Sequence, residues 1–241
     1  MKKLTLGCLF MTILAVSCKK TTPAGNGGGG SSSYMTTTAG TSWNYETVDN
    51  AASTTTPYSL TSTSSDTTVN ARVYHIFTYT DANGSSSEYY NVSGSEYYQY
   101  TQLAAQLPPL ELKYLVDNVA TNTSWTQPLA VSQTQSGITI NFNATLKYTI
   151  VEKGTSLTVG SKTYNDVIKV KTEITNPSVS STPSLPITIE PITQDINAYF
   201  APKYGLIKRN FQLKVDINAV GQIQNVIDNN TTTNLVSSSI Q

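Results

Sequence analysis

The chain offers few residues that could do chemistry. It has one histidine, two cysteines, and fifteen acidic and fifteen basic side chains among 241 residues. His75 is the sole imidazole, so any acid–base or metal-centred mechanism must use it or the carboxylates. It shares strand parity with Val73, Phe77 and Tyr79, and none of its sequence neighbours is an obvious partner. The expectation is a hydrogen-bonded histidine in the core or at the rim of the fold. Glu88 and Glu96 could form the carboxylate pair that glycoside hydrolysis needs. A hairpin turning at Ser93–Gly94 would pair Tyr90 with Tyr97 and Glu88 with Gln99. That register puts Glu88 on the Tyr90/Tyr97 face and Glu96 on the Tyr89/Tyr98 face, so the two carboxylates are expected on opposite sides of the sheet. The same hairpin holds Tyr89, Tyr90, Tyr97, Tyr98 and Tyr100. These rings could contact a ligand or a partner protein, but the favoured reading is cross-strand pairing within the sheet. No nucleophile elbow, phosphate loop, zinc motif or nucleotide fingerprint occurs. No catalytic residue, metal or cofactor is expected.

Two segments must bring these residues to their place of work. The first is the N-terminus. Lys2 and Lys3 precede the mostly apolar stretch Leu4–Val16, which is shorter than the roughly 20 residues needed to span a bilayer and fits a secretory signal. The stretch ends Ala15-Val16-Ser17-Cys18. This resembles a bacterial lipobox, and the following Lys19 and Lys20 complete a Ser-Cys-Lys-Lys pattern similar to lipoproteins of the Bacteroidota. The resemblance implies that residues 1–17 are a signal peptide and that Cys18 is lipidated. Cys8 would leave with the signal, so the folded part would hold no disulfide and no thiol nucleophile. Residues 18–40, centred on Gly27–Ser33, read as a flexible linker with a span of roughly 25 Å. Basic rather than acidic residues after Cys18 favour the periplasmic face of the outer membrane over the cell surface.

The second segment is everything from residue 41 to 241. The chain as a whole is neutral and hydroxyl-rich, with 64 Ser and Thr, 15 Tyr and 12% charged residues. A chain with that charge balance has no electrostatic basis for binding nucleic acid. Alternation replaces helical periodicity. Ile138, Ile140, Phe142, Ala144, Leu146, Tyr148 and Ile150 share one parity, with polar residues between them. That is a strand of roughly 43 Å with one dry face. Ile207, Phe211, Leu213, Val215 and Ile217 repeat the pattern, as do Ile168, Val170, Thr172 and Ile174. Shorter strands are expected at Trp43–Val48, Val69–Tyr79, Glu88–Val92, Glu96–Tyr100 and Leu112–Val116. Residues 176–191 hold four prolines and read as a loop. Thr233–Ile240 reads as a last strand or a frayed tail.

The expected fold is one all-β domain, an antiparallel barrel or curved half-barrel of long strands. A membrane-spanning barrel is the lesser reading, because the alternation is irregular. Gly40–Tyr45, Tyr164–Val170 and Ala198–Lys208, with its Tyr-Phe-Ala-Pro turn and return strand, resemble a broad set of uncharacterised bacterial lipoproteins. Long strands behind a lipid anchor are also similar, at fold level, to the half-barrels of the LolA/LolB-type lipoprotein carriers, which hold acyl chains on a concave apolar face. The sequence lacks the helices that plug those half-barrels.

The functional expectation is a lipid-anchored, non-enzymatic envelope domain that binds a lipid or other hydrophobic ligand on an apolar concave face. The alternative is an adaptor that docks an envelope protein through the tyrosine hairpin; a carbohydrate-acting enzyme ranks below both. Asp66-Thr67-Thr68 also resembles an O-glycosylation signal, with Thr67 as acceptor.

Overall fold

The computed structural model describes residues 33–102, 109–135, 137–219 and 222–241. The signal peptide, Cys18 and the linker up to residue 32 lie outside the described residues. Thirteen strands and no helix make up the described part: β1 (Ser42–Asp49), β2 (Thr54–Val69), β3 (Arg72–Asp81), β4 (Gly84–Ser93), β5 (Glu96–Thr101), β6 (Leu110–Val116), β7 (Ser124–Gln135), β8 (Ile138–Val159), β9 (Lys162–Thr182), β10 (Ile187–Ile189), β11 (Thr193–Ala201), β12 (Gly205–Ala219) and β13 (Gln222–Ser239). They form one antiparallel sheet in the order β6-β5-β4-β3-β2-β1-β13-β12-β11-β9-β8-β7, with β10 added along β12.

The sheet curls until β6 and β7 face each other, so the expected barrel is nearly closed. Side chains rather than a backbone ladder bridge the seam. Gln127 donates from Nε2 to the Glu111 carbonyl and accepts from the Lys113 N–H at 3.1 Å, while Trp125 Nε1 donates to the Lys113 carbonyl at 2.9 Å. A carboxamide carries one donor and one acceptor, so it can mimic a peptide group across a gap too wide for strand pairing. The same device recurs where β9 parts from β11. Gln194 accepts from the Ile174 N–H at 2.7 Å and donates to its carbonyl at 3.0 Å.

The barrel interior is filled. Ala144, Leu146, Tyr148 and Ile150 of β8 alternate inward as their parity demands, and Ile207, Leu213 and Val215 of β12 do the same. Ala144, Leu146, Tyr148, Ile150 and Ile207 meet Trp43, Tyr45, Phe77, Tyr97 and Phe200 from other strands in one core. Tyr45, Tyr58 and Tyr79 stack across three strands with ring centroids 5.0 Å apart at each step. Charged residues decorate the outer face, including the ion pairs Lys169–Glu152, Lys171–Glu173 and Lys214–Asp216. Apolar inside and charged outside is the reverse of a lipid-spanning barrel.

Several expected boundaries change. The expected single strand Val69–Tyr79 is broken at Asn70–Ala71, both at positive φ, which turn β2 into β3. Residues 176–182, expected as loop, continue β9 after Asn176 takes a φ of 50° beside an irregular pairing with β8. Thr233–Ser239 is strand, paired with β1 along its length and with β12 at Thr233 and Asn234. At the β11–β12 turn, Pro202 and Lys203 (φ 68°) occupy the centre, the Tyr204 N–H donates to the Ala201 carbonyl at 3.1 Å, and Gly205 takes the expected positive φ.

Candidate functional site

The site is built at the barrel end where the chain enters. Residues 33–40, read from sequence as the last part of the linker, are packed there as a strap. Tyr34 and Met35 are buried in the core. The Tyr34 N–H donates to Tyr97 Oη at 3.0 Å, and its own hydroxyl donates to the Asp166 carbonyl at 2.8 Å. The Ser33 carbonyl accepts from the Lys203 N–H at 2.7 Å. Gly205 is needed beneath the strap, because a Cβ there would stand 3.3 Å from the Tyr34 carbonyl oxygen. The physical reason is plain in hindsight. Tyr34 and Met35 are the two large apolar side chains in a Gly/Ser/Thr stretch, and burying them offsets the entropy of ordering it.

Beside the strap lies an open cleft of about 620 Å³. Its apolar lining is Met35, Val73 and Val92; its polar lining includes Asp66, His75, Asn91 and Lys203. Val73 is 48% exposed.

His75 faces the interior side, as its parity implies, with its ring edge-on to Phe77 at 5.2 Å. It is not without partners. Nδ1 is 2.7 Å from Asp66 Oδ1, and Nε2 is 2.9 Å from Ser62 Oγ. A carboxylate only accepts, so Nδ1 carries the hydrogen and Nε2 shares a hydrogen bond with the Ser62 hydroxyl. Sequence reading missed this cluster because a bulge creates it. Pairing of β2 with β3 breaks between Ser62 and Asp66, and Thr63 donates to the Ile76 carbonyl at 2.6 Å to hold the bulge in place. Without the extra residues, Ser62 and Asp66 could not both reach one ring.

A Ser–His–Asp chain invites comparison with nucleophilic catalysis. The exposures run the wrong way. In that chemistry the serine meets substrate and the aspartate is buried. Here Ser62 is 2% exposed, while the Asp66 side chain is 56% exposed. Ser62 sits behind the histidine, and its backbone is held at both ends by Gly40 and Thr41 of the strap. The arrangement orients an imidazole at the cleft wall; it does not present an alkoxide to one.

The hairpin register differs from the expected one. Gly94 and Ser95 form the turn, so Val92 pairs with Tyr97, Tyr90 with Gln99 and Ser93 with Glu96. The faces survive the change. Glu88 points inward, accepting from Tyr90 Oη at 2.5 Å. Glu96 points outward, accepting from Lys113 Nζ at 2.9 Å and from the Tyr98 hydroxyl. Those two hydrogen bonds, Lys113 first, hold the Glu96 carboxyl below the ordinary carboxylate value. With the sheet between them, the carboxylates cannot flank one glycosidic bond.

The five tyrosines divide likewise. Tyr90 and Tyr97 point inward. Tyr97 Oη donates to Asp117 at 2.6 Å, and burial followed by that bond pushes its phenol up to about 12. Tyr98 is buried on the outer face under the Arg72 guanidinium, 3.6 Å from the ring centroid. Arg72 is fixed in turn by Glu111 at 2.9 Å. Tyr89 and Tyr100, opposite each other in register, remain half-exposed. Thr67 lies half-exposed within β2, opposite Tyr74. Among the described residues no group of three or more His, Cys, Asp or Glu side chains could hold a metal ion.

One solved structure matches along almost its whole length. It is an inferred lipoprotein of Parabacteroides distasonis, with a TM-score of 0.51 and 14% identity over 86% of this chain and 98% of that one. What the two share is the fold. An inferred exported protein of Bacteroides fragilis, described as having a YmcC-like fold, aligns over 83% of this chain and 96% of its own at 10% identity, with a TM-score of 0.39. No protein-family model and no curated protein matches the sequence.

Proposed function

We propose that the chain is a lipid-anchored, non-enzymatic domain of the cell envelope, held through Cys18 at the outer membrane with the periplasmic face favoured, and that it binds its ligand at the strap-side cleft. The lipobox-like sequence and a fold in common with an inferred lipoprotein support the anchor. The carrying observation is that Ser33, Met35 and Thr36 of the strap line the cleft, with Ser33 bonded to the Lys203 N–H of the β11–β12 turn. The filled interior moves the expected hydrophobic ligand from the concave face to this mouth. The inverted exposure of Ser62 and Asp66 supports a role without catalysis. The adaptor reading is reduced to Tyr89 and Tyr100, the half-exposed pair of the hairpin's outer face.

Fractionation of cells making the full chain tests the anchor. Wild type is expected in the outer-membrane fraction and Cys18→Ser in the soluble periplasm. Wild type that is soluble would contradict the proposal.

A further inference from the structure

We propose that the strap-side cleft is a site for a zwitterionic phospholipid of the bilayer that holds the anchor, taking its head group and the first carbons of its chains. This deepens the reading above and rests on it for the source of the ligand.

Three observations carry it. The lining is amphipathic in a specific way. Lys203 supplies a cation that makes no ion pair among the described residues. Asp66 supplies an exposed carboxylate, bound through one oxygen to His75. A head group carrying both a phosphate and an amine meets Lys203 with the first and Asp66 with the second. Val73, Val92 and Met35 offer the apolar surface for the adjoining chain carbons.

The interior is also closed to whole chains. Trp43, Tyr45, Phe77 and Tyr97 fill it, and Tyr34 and Met35 stopper it at this end. A lipid at the mouth can therefore bury its head and the beginning of its tails but cannot be swallowed. A volume of about 620 Å³ suits a ligand portion of that size.

Finally, the tether sets the geometry. Fourteen residues separate Cys18 from Ser33. The chain between them can reach at most about 50 Å. A lipid on Cys18 would keep the cleft within that distance of the bilayer, and Ile227 of β13, exposed and paired with Val215, is not among the cleft's lining residues.

The test is photo-crosslinking of the full chain with vesicles of phosphatidylethanolamine and phosphatidylglycerol. Val73 is replaced by p-benzoylphenylalanine, with Ile227 replaced in a parallel sample. Mass spectrometry reads the fraction of chain that gains a phospholipid mass. The expected result is an adduct at position 73 in clear excess over position 227, made mainly with phosphatidylethanolamine and reduced roughly fivefold by Lys203→Glu. Equal adducts at both positions would mean random collision with the bilayer and would overturn the proposal. So would an adduct at 73 that ignores Lys203→Glu, which would report a greasy surface without head-group recognition. The two readings fail separately. A lipid found on Cys18 with no adduct at 73 keeps the anchor and removes the cleft site. An unmodified Cys18 removes the anchor, and the same crosslinking with added vesicles still decides the cleft.

Discussion

Removing one hydroxyl should loosen the strap from the barrel. Tyr97 is 1% exposed, and its Oη donates to Asp117, accepts from the Tyr34 N–H and lies 3.4 Å from the Ser33 hydroxyl. Tyr97→Phe keeps the ring and deletes all three contacts. The bond to a carboxylate contributes about 1.5–3 kcal/mol, and leaving the buried Tyr34 N–H without a partner costs about 1–3 kcal/mol more. The sum is about 2.5–6 kcal/mol, a large fraction of the stability of a typical domain. With a urea m-value of about 3 kcal/mol/M, the midpoint falls by about 0.8–2 M. The control is Tyr89→Phe on the outer face, expected within about 0.5 kcal/mol of wild type. Hydrogen exchange at the Tyr34 amide locates the effect and should speed up strongly in Tyr97→Phe alone. A loss below about 1 kcal/mol, with Tyr34 protection unchanged, would refute the claim that this hydroxyl fastens the strap.

Alkali should unfold the domain cooperatively. Tyr34, Tyr45, Tyr97 and Tyr148 are all buried, and burial raises each phenol above its ordinary value of 10. A raised pKa stabilises the fold fully below pH 10 and withdraws that support as pH rises beyond it; at pH 11 four such groups remove about 5 kcal/mol. Phenolate absorbance should appear together with loss of β-sheet circular dichroism, and phenols titrating at pH 10 in an intact fold would contradict this. On the acid side, the lowered Glu96 carboxyl adds stability above its ordinary value of 4.5 that fades as pH falls below it. Wild type should therefore lose ground to Lys113→Ala in denaturant midpoints over that acid range, and parallel pH profiles would argue against the pair. Ser62 should resist a fluorophosphonate reagent; labelling abolished by Ser62→Ala would reopen the catalytic reading.

What the sequence made legible follows from periodicity. β8 and β12 were readable because Ala144–Ile150 and Leu213–Val215 alternate over many residues, so parity alone sets their inner face. The opposite faces of Glu88 and Glu96 were readable for a related reason. Moving the turn from Ser93–Gly94 to Gly94–Ser95 shifts the pairing by two residues, from Tyr97 to Gln99 opposite Tyr90, and an even shift leaves each residue's side unchanged. Features created by departures from periodicity were hidden. The Ser62–His75–Asp66 cluster depends on a bulge within a run of Ser and Thr that carries no hydrophobic pattern, and β2 itself was invisible for that reason. β7 was obscured similarly, since Gln127 and Trp125 act through hydrogen bonds across a seam rather than through burial alone. The strap left one signal, Tyr34-Met35 within an otherwise polar stretch, which a search for isolated apolar pairs beside a linker would have found.

The most direct test of the account is the intact mass of the mature full chain, purified with detergent from the membranes of its own host. The account predicts a polypeptide beginning at Cys18 and carrying a diacylglycerol thioether on that residue. A mature chain with Cys18 unmodified, or one that begins elsewhere and carries no lipid, would contradict it.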